Sequence, residues 1–336
     1  MALETPARRL RWGILGAANI ALKAVMPAIQ ASRNGVIAAV ASREASKAAD
    51  AAAQFHIPRS YGSYDALLAD PAIDAVYIPL PNHLHRPWTE QAARAGKHVL
   101  CEKPLGLDAG DAEAMREVCA QHGVTLMEAF MYRFHPRIRE VERLVAAGAI
   151  GDVRLVRAAF SFQITRRPNI RLNADMGGGA TMDVGCYGIN FARAMLRQEP
   201  TEVFGYAVWG AESGVDETLL GALRFGDGAL AEVDCSFQVP RRMLAEVVGT
   251  AGRIELPHAW LPGRADVPIV LERPDGSVET IAVSGVDQYQ LMVEAFADAV
   301  FAGQPVPLLP TDAVANMRVI DALLHSAREG QPVPIG

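Results

Sequence analysis

The feature that most constrains the fold is a regular alternation between short apolar runs and helical patterns through the first 130 residues. "LRWGILG" is followed by "NIALKAVMPAIQAS", and "GVIAAVAS" is followed by "REASKAADAAAQF". The alternation continues through "AVYIPL", "KHVLCE" and "VTLMEAF". Strands that are apolar on both faces and separated by helices are typical of a parallel sheet covered on both sides. The sequence therefore predicts an α/β fold in which residues 1–130 form a doubly wound, Rossmann-type nucleotide-binding domain.

The hydrophobic period changes after Gly151. "DVRLVRAAFSFQI", "TEVFGYAVWG" and "ETLLGALRFG" have the pattern of extended segments, and turn signals such as "GDG" and "PDGS" separate several of them. Two helical patterns, "DQYQLMVEAFADAVFAG" and "TDAVANMRVIDALLHSAREG", close the chain. We expect residues 131–336 to form a second α/β domain with a large, mostly antiparallel open sheet. The final helix is a candidate for packing back on the first domain.

Composition narrows the class of protein. Charged residues make up 21% of the 336 residues and the net charge is -6, which gives no electrostatic reason to expect nucleic acid or an anionic membrane as partner. The four cysteines have neither C-x-x-C spacing nor a nearby zinc-type histidine pattern, and no apolar run reaches about 18 residues. We expect a cytoplasmic protein with reduced thiols, a small-molecule substrate and no bound metal.

A phosphate-binding loop follows the first predicted strand. "GILGAANIA" places Gly16, Ala18 and Ala21 at the three positions of the G-x-G-x-x-G/A pattern, between a strand and a helix. Backbone N–H groups at a helix N-terminus, together with the helix dipole, bind a pyrophosphate. Ala18 departs from the usual middle glycine, so we expect a slightly shifted diphosphate. The residues predicted to contact it are Gly16, Ala17, Ala18, Asn19 and Ile20.

The end of the second strand indicates which dinucleotide is bound. An NAD site usually carries an acidic residue there for the ribose 2′-hydroxyl, whereas this chain has Ser42, Arg43 and, one turn later, Lys47. A hydroxyl and two cations suit a 2′-phosphate, because charge-assisted hydrogen bonds and guanidinium stacking on adenine favour it. The sequence therefore predicts NADP as the cofactor.

A charged pair ends another strand. "GKHVLCEKPL" puts Glu102 and Lys103 at the carboxyl end of a parallel strand, where ligands bind in open α/β sheets. Ending a buried strand with charges costs free energy unless the charges have a use. Pro104 restricts Lys103 to an extended conformation or adopts a cis bond with it, and either geometry gives the ammonium one direction.

Three glycines precede a polar helix face in "GGGATMDVGCYGIN". In a helix beginning near Thr181, Asp183, Tyr187 and Asn190 stand at i, i+4 and i+7 and share one face. A polar stripe on an otherwise apolar helix indicates the wall of a cleft. We expect the glycine run, Gly177 to Gly179, to let the backbone pass beside a bound sugar and nicotinamide.

Four segments together make a specific resemblance. "YIPLPNHLH", "AGKHVLCEKPL", "EAFMYRFHP" and "GGGATMDVGCYGIN" resemble the glucose–fructose oxidoreductase, inositol dehydrogenase and rhizopine-catabolism family of NAD(P)-dependent oxidoreductases. The resemblance implies a Rossmann domain and a C-terminal α/β domain whose open sheet forms a homodimer or homotetramer. It also implies that Lys103 is the catalytic lysine. The resemblance also places Asn82, His85 and Glu102 along the cofactor. Further predicted cofactor contacts are Pro79, Leu80, Lys103 and Arg171.

Tyr187 narrows the class of substrate that the resemblance implies. Inositol-type members of the family carry histidine at this position, so tyrosine resembles the branch of aldose and dihydrodiol dehydrogenases. Removing hydride from a sugar C1 requires a base for the hydroxyl proton. Lowering the pKa of a free tyrosine from about 10 to about 7 takes about 4 kcal/mol. An ammonium about 4 Å away at an effective dielectric constant near 20 supplies about that much.

The predicted reaction is therefore NADP-dependent oxidation of the C1 hydroxyl of a pyranose aldose to a lactone. Tyr187 is the base, Lys103 activates it and Asp183 orients the sugar hydroxyls. Further polar candidates for contact with substrate or nicotinamide are Arg133, His135, Asn169, Arg171 and Tyr289. Three alternatives stay open: an aldose–aldose oxidoreductase with tightly bound NADP, a dihydrodiol dehydrogenase or anhydrofructose reductase, and a non-catalytic NADP-binding sensor.

Overall fold

The computed structural model describes residues 8–335, and the chain divides into two compact units. The first unit contains the chain up to Gly106, Gly110–Met131 and Asp287–Val314. The second contains Leu107–Ala109, Tyr132–Val286 and the chain from Ala315 onwards. The segment that returns to the first unit holds the first closing helix and only the start of the second. The final helix therefore belongs mainly to the second unit.

Six strands form the sheet of the first unit: β1 (Leu10–Leu15), β2 (Gly35–Ala41), β3 (Ser60–Tyr61), β4 (Ala75–Ile78), β5 (His98–Cys101) and β6 (Leu126–Glu128). They pair in parallel in the order β3-β2-β1-β4-β5-β6. The order reverses between β1 and β4, and ligands of such sheets bind at the carboxyl ends of the strands beside that reversal. The predicted Rossmann-type sheet is confirmed.

Helices connect these strands: α1 (Met26–Ala31), α2 (Ala45–Phe55), α3 (Tyr64–Leu68), α4 (His85–Arg94) and α5 (Ala109–Gln121). A π turn, Ala21–Val25, leads into α1, so the first helix after the phosphate loop is not regular from its start. β2 and β4 are buried along almost their whole length, which explains why their sequences are apolar runs without alternation.

Nine strands form the sheet of the second unit: β7 (Val153–Ser161), β8 (Pro200–Trp209), β9 (Asp216–Phe225), β10 (Leu230–Ser236), β11 (Arg242–Gly249), β12 (Gly252–Pro257), β13 (Val267–Glu272), β14 (Val278–Val283) and β15 (Val333–Pro334). Their order is β14-β13-β12-β11-β7-β10-β9-β8-β15. Only β7 and β10 pair in parallel among these described strands. The predicted, mostly antiparallel sheet is confirmed.

The second unit carries α6 (Pro136–Ala146) and α7 (Cys186–Leu196), and a π turn, Thr181–Gly185, leads into α7. α7 packs closely on the inner face of the sheet: a Cβ on Gly188 would lie 3.1 Å from the Ala158 side chain of β7. Glycine thus lets this helix approach the sheet more closely than any other residue would. The opposite face of the sheet exposes Tyr206, Val208 and Leu220.

Two helices follow the large sheet: α8 (Gln288–Ala302) and α9 (Pro310–Glu329). α8 packs within the first unit, where Phe296 lies 5.2 Å from Trp12 between ring centroids and Asn34 donates to Asp298 at 2.8 Å. In α9, the Ser326 hydroxyl accepts from the Gly205 amide of β8 at 3.0 Å. Within residues 8–335, no helix is long and apolar enough to cross a membrane.

Candidate active site

The phosphate loop has the conformation that the sequence predicts. Gly16 follows β1 with φ +117°, a value that L side chains rarely adopt, and its amide donates to the Ala41 carbonyl at 2.9 Å. A Cβ on Gly16 would lie 2.9 Å from the Leu80 side chain. Ala17, Ala18, Asn19 and Ile20 follow at the surface, and Leu22 donates to the Ala18 carbonyl at 3.0 Å. A glycine held open at a helix N-terminus fits the diphosphate of a dinucleotide.

The three residues predicted to bind a 2′-phosphate lie in different surroundings. Ser42 is nearly buried, and its hydroxyl accepts from the Glu44 amide at 3.3 Å. Arg43 is exposed beside Tyr64, where its positive charge opposes the rise that burial causes in the pKa of that tyrosine. Lys47 pairs with Glu44 at 2.7 Å on the surface. Arg43 is therefore the stronger of the two cationic candidates, and Tyr64 is a neighbour that the sequence did not indicate.

Glu102 is oriented by a buried tyrosine. The Tyr77 hydroxyl donates to its carboxylate at 2.6 Å, and burial together with the negative charge of Glu102 raises the pKa of Tyr77. Tyr289, at the start of α8, has its pKa raised by burial and by the same carboxylate. Tyr289 thus lies near Glu102 within the first unit. Lys103 is half-buried, and its peptide bond to Pro104 is cis.

His85 lies beneath the strand ends. Its side chain is 0% exposed, with Nδ1 2.9 Å from the Pro104 carbonyl and Nε2 2.8 Å from the Leu80 carbonyl. Burial lowers the pKa of His85 to about 4. The ring joins the loops after β4 and β5, with both ring nitrogens against backbone carbonyls, and the contact of His85 with the cofactor stays a prediction. Pro79 is buried, whereas Leu80 and Asn82 are half-buried in the same loop.

The polar helix face differs from the prediction because the helix begins with a π turn. The Cys186 amide bonds the Thr181 carbonyl five residues back, and the α-helical pattern starts only at Cys186. Asn190 is 0% exposed and accepts from the Tyr132 hydroxyl at 2.6 Å and from Arg133 at 3.2 Å. The prediction that Asn190 lines a cleft is wrong, since its amide satisfies buried donors.

Tyr187 is held by aromatic rings. Its side chain is 4% exposed, and its ring centroid lies 5.3 Å from Phe160, 5.8 Å from Tyr132 and 5.8 Å from Trp260. Edge-to-face and tilted contacts at these distances are favourable and restrict the ring to one orientation. No sequence pattern links these rings, because they come from three separate segments.

Asp183 forms an ion pair that the sequence did not predict. Arg171 donates from Nε to its carboxylate at 2.5 Å, and the guanidinium carbon lies 5.8 Å from the Phe162 ring centroid. The Asn169 side chain accepts from the Arg171 amide at 3.1 Å and fixes the loop. Arg171 and Asp183, predicted to serve cofactor and substrate separately, are thus partners in the second unit.

The glycine run is required by the protein's own backbone. Gly177 has φ +73°, and a Cβ on Gly178 would lie 2.5 Å from the Arg171 carbonyl oxygen. Gly179 has φ +124°, and a Cβ there would overlap the Asp216 carboxylate. These near neighbours belong to the chain itself and explain the glycines without a ligand, whereas the expectation that the run passes beside a bound sugar and nicotinamide stays a prediction.

Other predicted residues have local partners. His135 is buried, accepts from the Arg137 amide at 3.1 Å and caps α6, while burial and the charge of Arg137 lower its pKa to about 4. Arg133 lies 3.7 Å from Glu142. Among residues 8–335, no group of three or more His, Cys, Asp and Glu side chains is arranged to hold a metal ion.

Known proteins resemble the whole chain. Its residues 10–130 match the family described as "Oxidoreductase family, NAD-binding Rossmann fold", and residues 138–255 match the "GFO/IDH/MocA C-terminal domain". D-xylose 1-dehydrogenase (NADP(+)) 2 of Haloferax volcanii is 42% identical over 327 residues, which are 97% of this chain and 100% of that protein.

Two solved structures resemble both units. The aldose-aldose oxidoreductase from Caulobacter crescentus, complexed with glycerol, has a TM-score of 0.91 at 31% identity, covering 98% of this chain and 100% of that one. A 3-ketoreductase from Actinomadura kijaniata, in complex with NADP and TDP-benzene, has a TM-score of 0.91 at 31% identity, covering 95% and 98%. The strand order, the phosphate loop and these matches agree, and the chain belongs to the GFO/IDH/MocA family of oxidoreductases.

Proposed function

We propose that the protein oxidises the C1 hydroxyl of a pyranose aldose to a lactone in an NADP-dependent reaction. The observation that carries the proposal is the enclosed, oriented ring of Tyr187 on the helix that follows Asp183. The similarity of nearly the whole chain to a D-xylose 1-dehydrogenase of the NADP type supports an aldose as substrate.

NADP fits the first unit better than NAD. No acidic side chain follows β2 directly; Ser42 and Arg43 stand there, and a guanidinium binds a 2′-phosphate through charge-assisted hydrogen bonds. Glu44 neutralises Lys47, so Arg43 is the cation that we assign to the phosphate. When bound, NADP⁺ supplies the hydride acceptor.

The chain's own residues handle the proton and the sugar. In the proposed reaction the C1 hydrogen leaves with its electron pair, the hydroxyl proton passes to the Tyr187 oxygen and the lactone carbonyl forms. Activation of the phenolate is the role that the sequence predicts for the positive charge of Lys103. Asp183 accepts hydrogen bonds from sugar hydroxyls, and Arg171 holds its carboxylate in one orientation. Arg133 and Tyr289 are the further residues that we assign to substrate contact.

A substrate screen tests the proposal directly. The purified protein is mixed with NADP⁺ and with glucose, xylose or inositol, and formation of NADPH is followed by absorbance. We expect reduction with an aldose, a lactone as the product and no reaction with inositol. Formation of NADPH with inositol only, or with none of the three compounds, would overturn the assignment of an aldose.

The second candidate is an aldose–aldose oxidoreductase, which the similarity to the Caulobacter crescentus structure supports. In that reaction the cofactor stays bound while one sugar is oxidised and another is reduced. Denaturing the protein as purified and identifying the released nucleotide separates the two modes. Stoichiometric NADP or NADPH supports the bound-cofactor mode, and a protein free of nucleotide supports the dehydrogenase.

We also propose that the open face of the second sheet joins copies of the chain into a homodimer or homotetramer. Tyr206, Val208 and Leu220 stand on neighbouring strands of this face, and Tyr206 is 66% exposed. An apolar patch of this kind on a protein surface is typical of an interface.

A further inference from the structure

The helix that bears the proposed base starts at a buried carboxylate. Asp216, the first residue of β9, is 2% exposed. Its Oδ2 accepts from both the amide and the hydroxyl of Thr181, each at 2.7 Å. Thr181 is the first residue of the π turn, and Asp183 follows two residues later. A carboxylate at this position satisfies N–H groups that a helix start leaves without an intrahelical partner.

The other carboxylate oxygen lies against the chain just before the helix. A Cβ on Gly179 would overlap Oδ1 of Asp216, and the φ of +124° at Gly179 is strained for any other residue. The Gly179 carbonyl then accepts from the Asp183 amide at 3.0 Å. Asp216, Gly179 and Thr181, which we call the Asp216 anchor, thus link β9 to the backbone on both sides of the helix start.

The body of the helix is fixed independently of this anchor. A Cβ on Gly185 would lie 2.9 Å from the Cys235 sulfur, and one on Gly188 would lie 3.2 Å from Val233. Both neighbours belong to β10, which pairs with β9. The helix is therefore attached to one sheet at its start by Asp216 and along its length by close packing.

A neutral capping side chain would accept hydrogen bonds from the same Thr181 donors at a lower cost in free energy, because it would not bury a charge. Burial raises the pKa of Asp216 to about 6, whereas the hydrogen bonds from Thr181 and the charge of Arg328 oppose that rise. The other groups that bear on this carboxylate are the Cys235 thiol of β10 and the helix dipole. Serine or asparagine caps a helix without burying a charge. A carboxylate, in contrast, accepts stronger, charge-assisted hydrogen bonds from the Thr181 amide and hydroxyl.

We propose that Asp216 is a positioning residue that sets the place of Asp183 and Tyr187 relative to the bound sugar. The inference rests on the function proposed above. Asp216 acts through Thr181 and the π turn, and displacement of reacting groups by about 1 Å can cost about 100-fold in rate. Loss of its two accepted hydrogen bonds would release the helix start while the glycine contacts keep α7 on the sheet.

Two substitutions and a matched control test the proposal. Asp216→Ala removes the acceptor, and Asp216→Asn keeps an acceptor oxygen without the charge. Asp234→Ala, on neighbouring β10 and paired with Arg242 at 2.6 Å in an exposed ion pair, is the control. The measurements are kcat and KM with the preferred aldose, NADP⁺ affinity, and hydrogen exchange of the peptide spanning residues 177–190.

We expect kcat of Asp216→Ala to fall about 100-fold with unchanged NADP⁺ affinity and with faster exchange across residues 179–187. Asp216→Asn, which keeps an acceptor without the charge, should have a kcat between those of Asp216→Ala and the unaltered protein, and Asp234→Ala should match the unaltered protein. Below pH 6 the rate of the unaltered protein should fall towards that of Asp216→Asn as the carboxylate takes up a proton, and Asp216→Asn should lack that fall.

The inference and the proposed function fail in different ways. If none of the sugars serves as a substrate for NADP⁺ reduction by the unaltered protein, the proposed function fails. Hydrogen exchange at residues 179–187 still tests the Asp216 anchor in that case. A folded Asp216→Ala protein with unchanged kcat and unchanged exchange would overturn the role of Asp216. Equal loss of activity and of NADP⁺ binding would also overturn it, because that result indicates general unfolding.

Discussion

At the scale of single residues, Tyr187 allows the most direct test, because phenylalanine keeps its packing. The ring contacts with Phe160, Tyr132 and Trp260 need no hydroxyl. We expect Tyr187→Phe to lower kcat by about 100- to 10,000-fold, which is the usual contribution of general base catalysis. NADPH binding, followed by fluorescence titration, and the melting temperature should stay unchanged. Retained turnover would contradict the assignment of Tyr187 as base.

Arg43 and Lys47 form a matched pair for testing cofactor choice. We expect Arg43→Ala to raise KM for NADP⁺ at least about tenfold and to leave KM for NAD⁺ nearly unchanged, because a charge-assisted hydrogen bond contributes about 1.5–3 kcal/mol. Lys47→Ala is the control, since its ammonium already pairs with Glu44. Equal effects of Arg43→Ala on the two cofactors would assign the 2′-phosphate to another residue.

The buried charge of Asp216 should lower the stability of the fold while it supports activity, and its effect on stability should depend on pH. Its pKa is raised by burial to about 6 in the folded protein, above the ordinary value of 3.8. The folded state therefore binds this proton more tightly than the unfolded state, and the contribution of Asp216 to stability falls as pH rises through 6. At pH 7 the buried charge costs about 3 kcal/mol.

We therefore expect Asp216→Asn to melt at the same temperature as the unaltered protein or at a higher one at pH 7, although its kcat is lower. The difference in melting temperature should shrink as pH falls towards 4. Calorimetry at several pH values measures both. A variant that is less stable at pH 7 and no different at pH 4 would show that the carboxylate stabilises the fold.

At the scale of elements, the glycine run shows how a loop determines the geometry of the ion pair between Arg171 and Asp183. Gly178→Ala would push a Cβ against the Arg171 carbonyl, 2.5 Å away, and so displace the side chain that holds Asp183. We expect KM for the aldose to rise at least about tenfold, since one lost charge-assisted hydrogen bond is worth about 1.5–3 kcal/mol, while KM for NADP⁺ stays the same. Gly226→Ala is the control, because the nearest neighbour of its Cβ would be 3.9 Å away. An unchanged sugar KM would show that the Arg171 loop adjusts without consequence.

Most elements could be predicted from the sequence, whereas several contacts of the candidate site could not. The alternation over residues 10–130 was sufficient for a parallel sheet, and Gly16 was identifiable because its pattern lies between a strand and a helix. The burial of Asn190 depends on its contact with Tyr132, and the start of the π turn depends on the contact of Thr181 with Asp216 of β9. Both contacts join segments distant in sequence, so no local pattern predicts them. Trp260 and Asp216 escaped prediction for the same reason, since their importance comes from segments distant in sequence.

At the scale of the whole molecule, the open face of the second sheet has a region of ion pairs and a region of exposed apolar side chains. Arg157 pairs with Glu232 across β7 and β10, and Arg253 pairs with Glu246 and Glu272 across β11, β12 and β13. These charges are neutralised within the face itself. Leu230 and Leu244 are single exposed apolar side chains on β10 and β11, whereas Tyr206, Val208 and Leu220 stand together on β8 and β9, where the rings of Phe204 and Tyr206 lie 4.8 Å apart. The proposed interface is therefore centred on β8 and β9.

We expect the protein to sediment as a dimer or tetramer and Tyr206→Glu to sediment as a smaller species, because a charge in an apolar interface is left unpaired. Leu309→Glu is the control, since Leu309 is 49% exposed and lies outside the sheet. Analytical ultracentrifugation measures both. A monomeric unaltered protein, or an unchanged assembly with Tyr206→Glu, would contradict the proposed interface.

The π turn at Thr181–Gly185 has a consequence for how relatives of this chain are aligned. It contains one residue more than a regular α-helical turn, and it reconciles two attachments to the same sheet, Asp216 before it and the packed body of α7 after it. A relative with one residue fewer here would close the turn into regular helix and keep both attachments. A gap in this segment of an alignment would therefore mark a change beside Asp183, where the sugar is bound in our proposal, and not a change of fold.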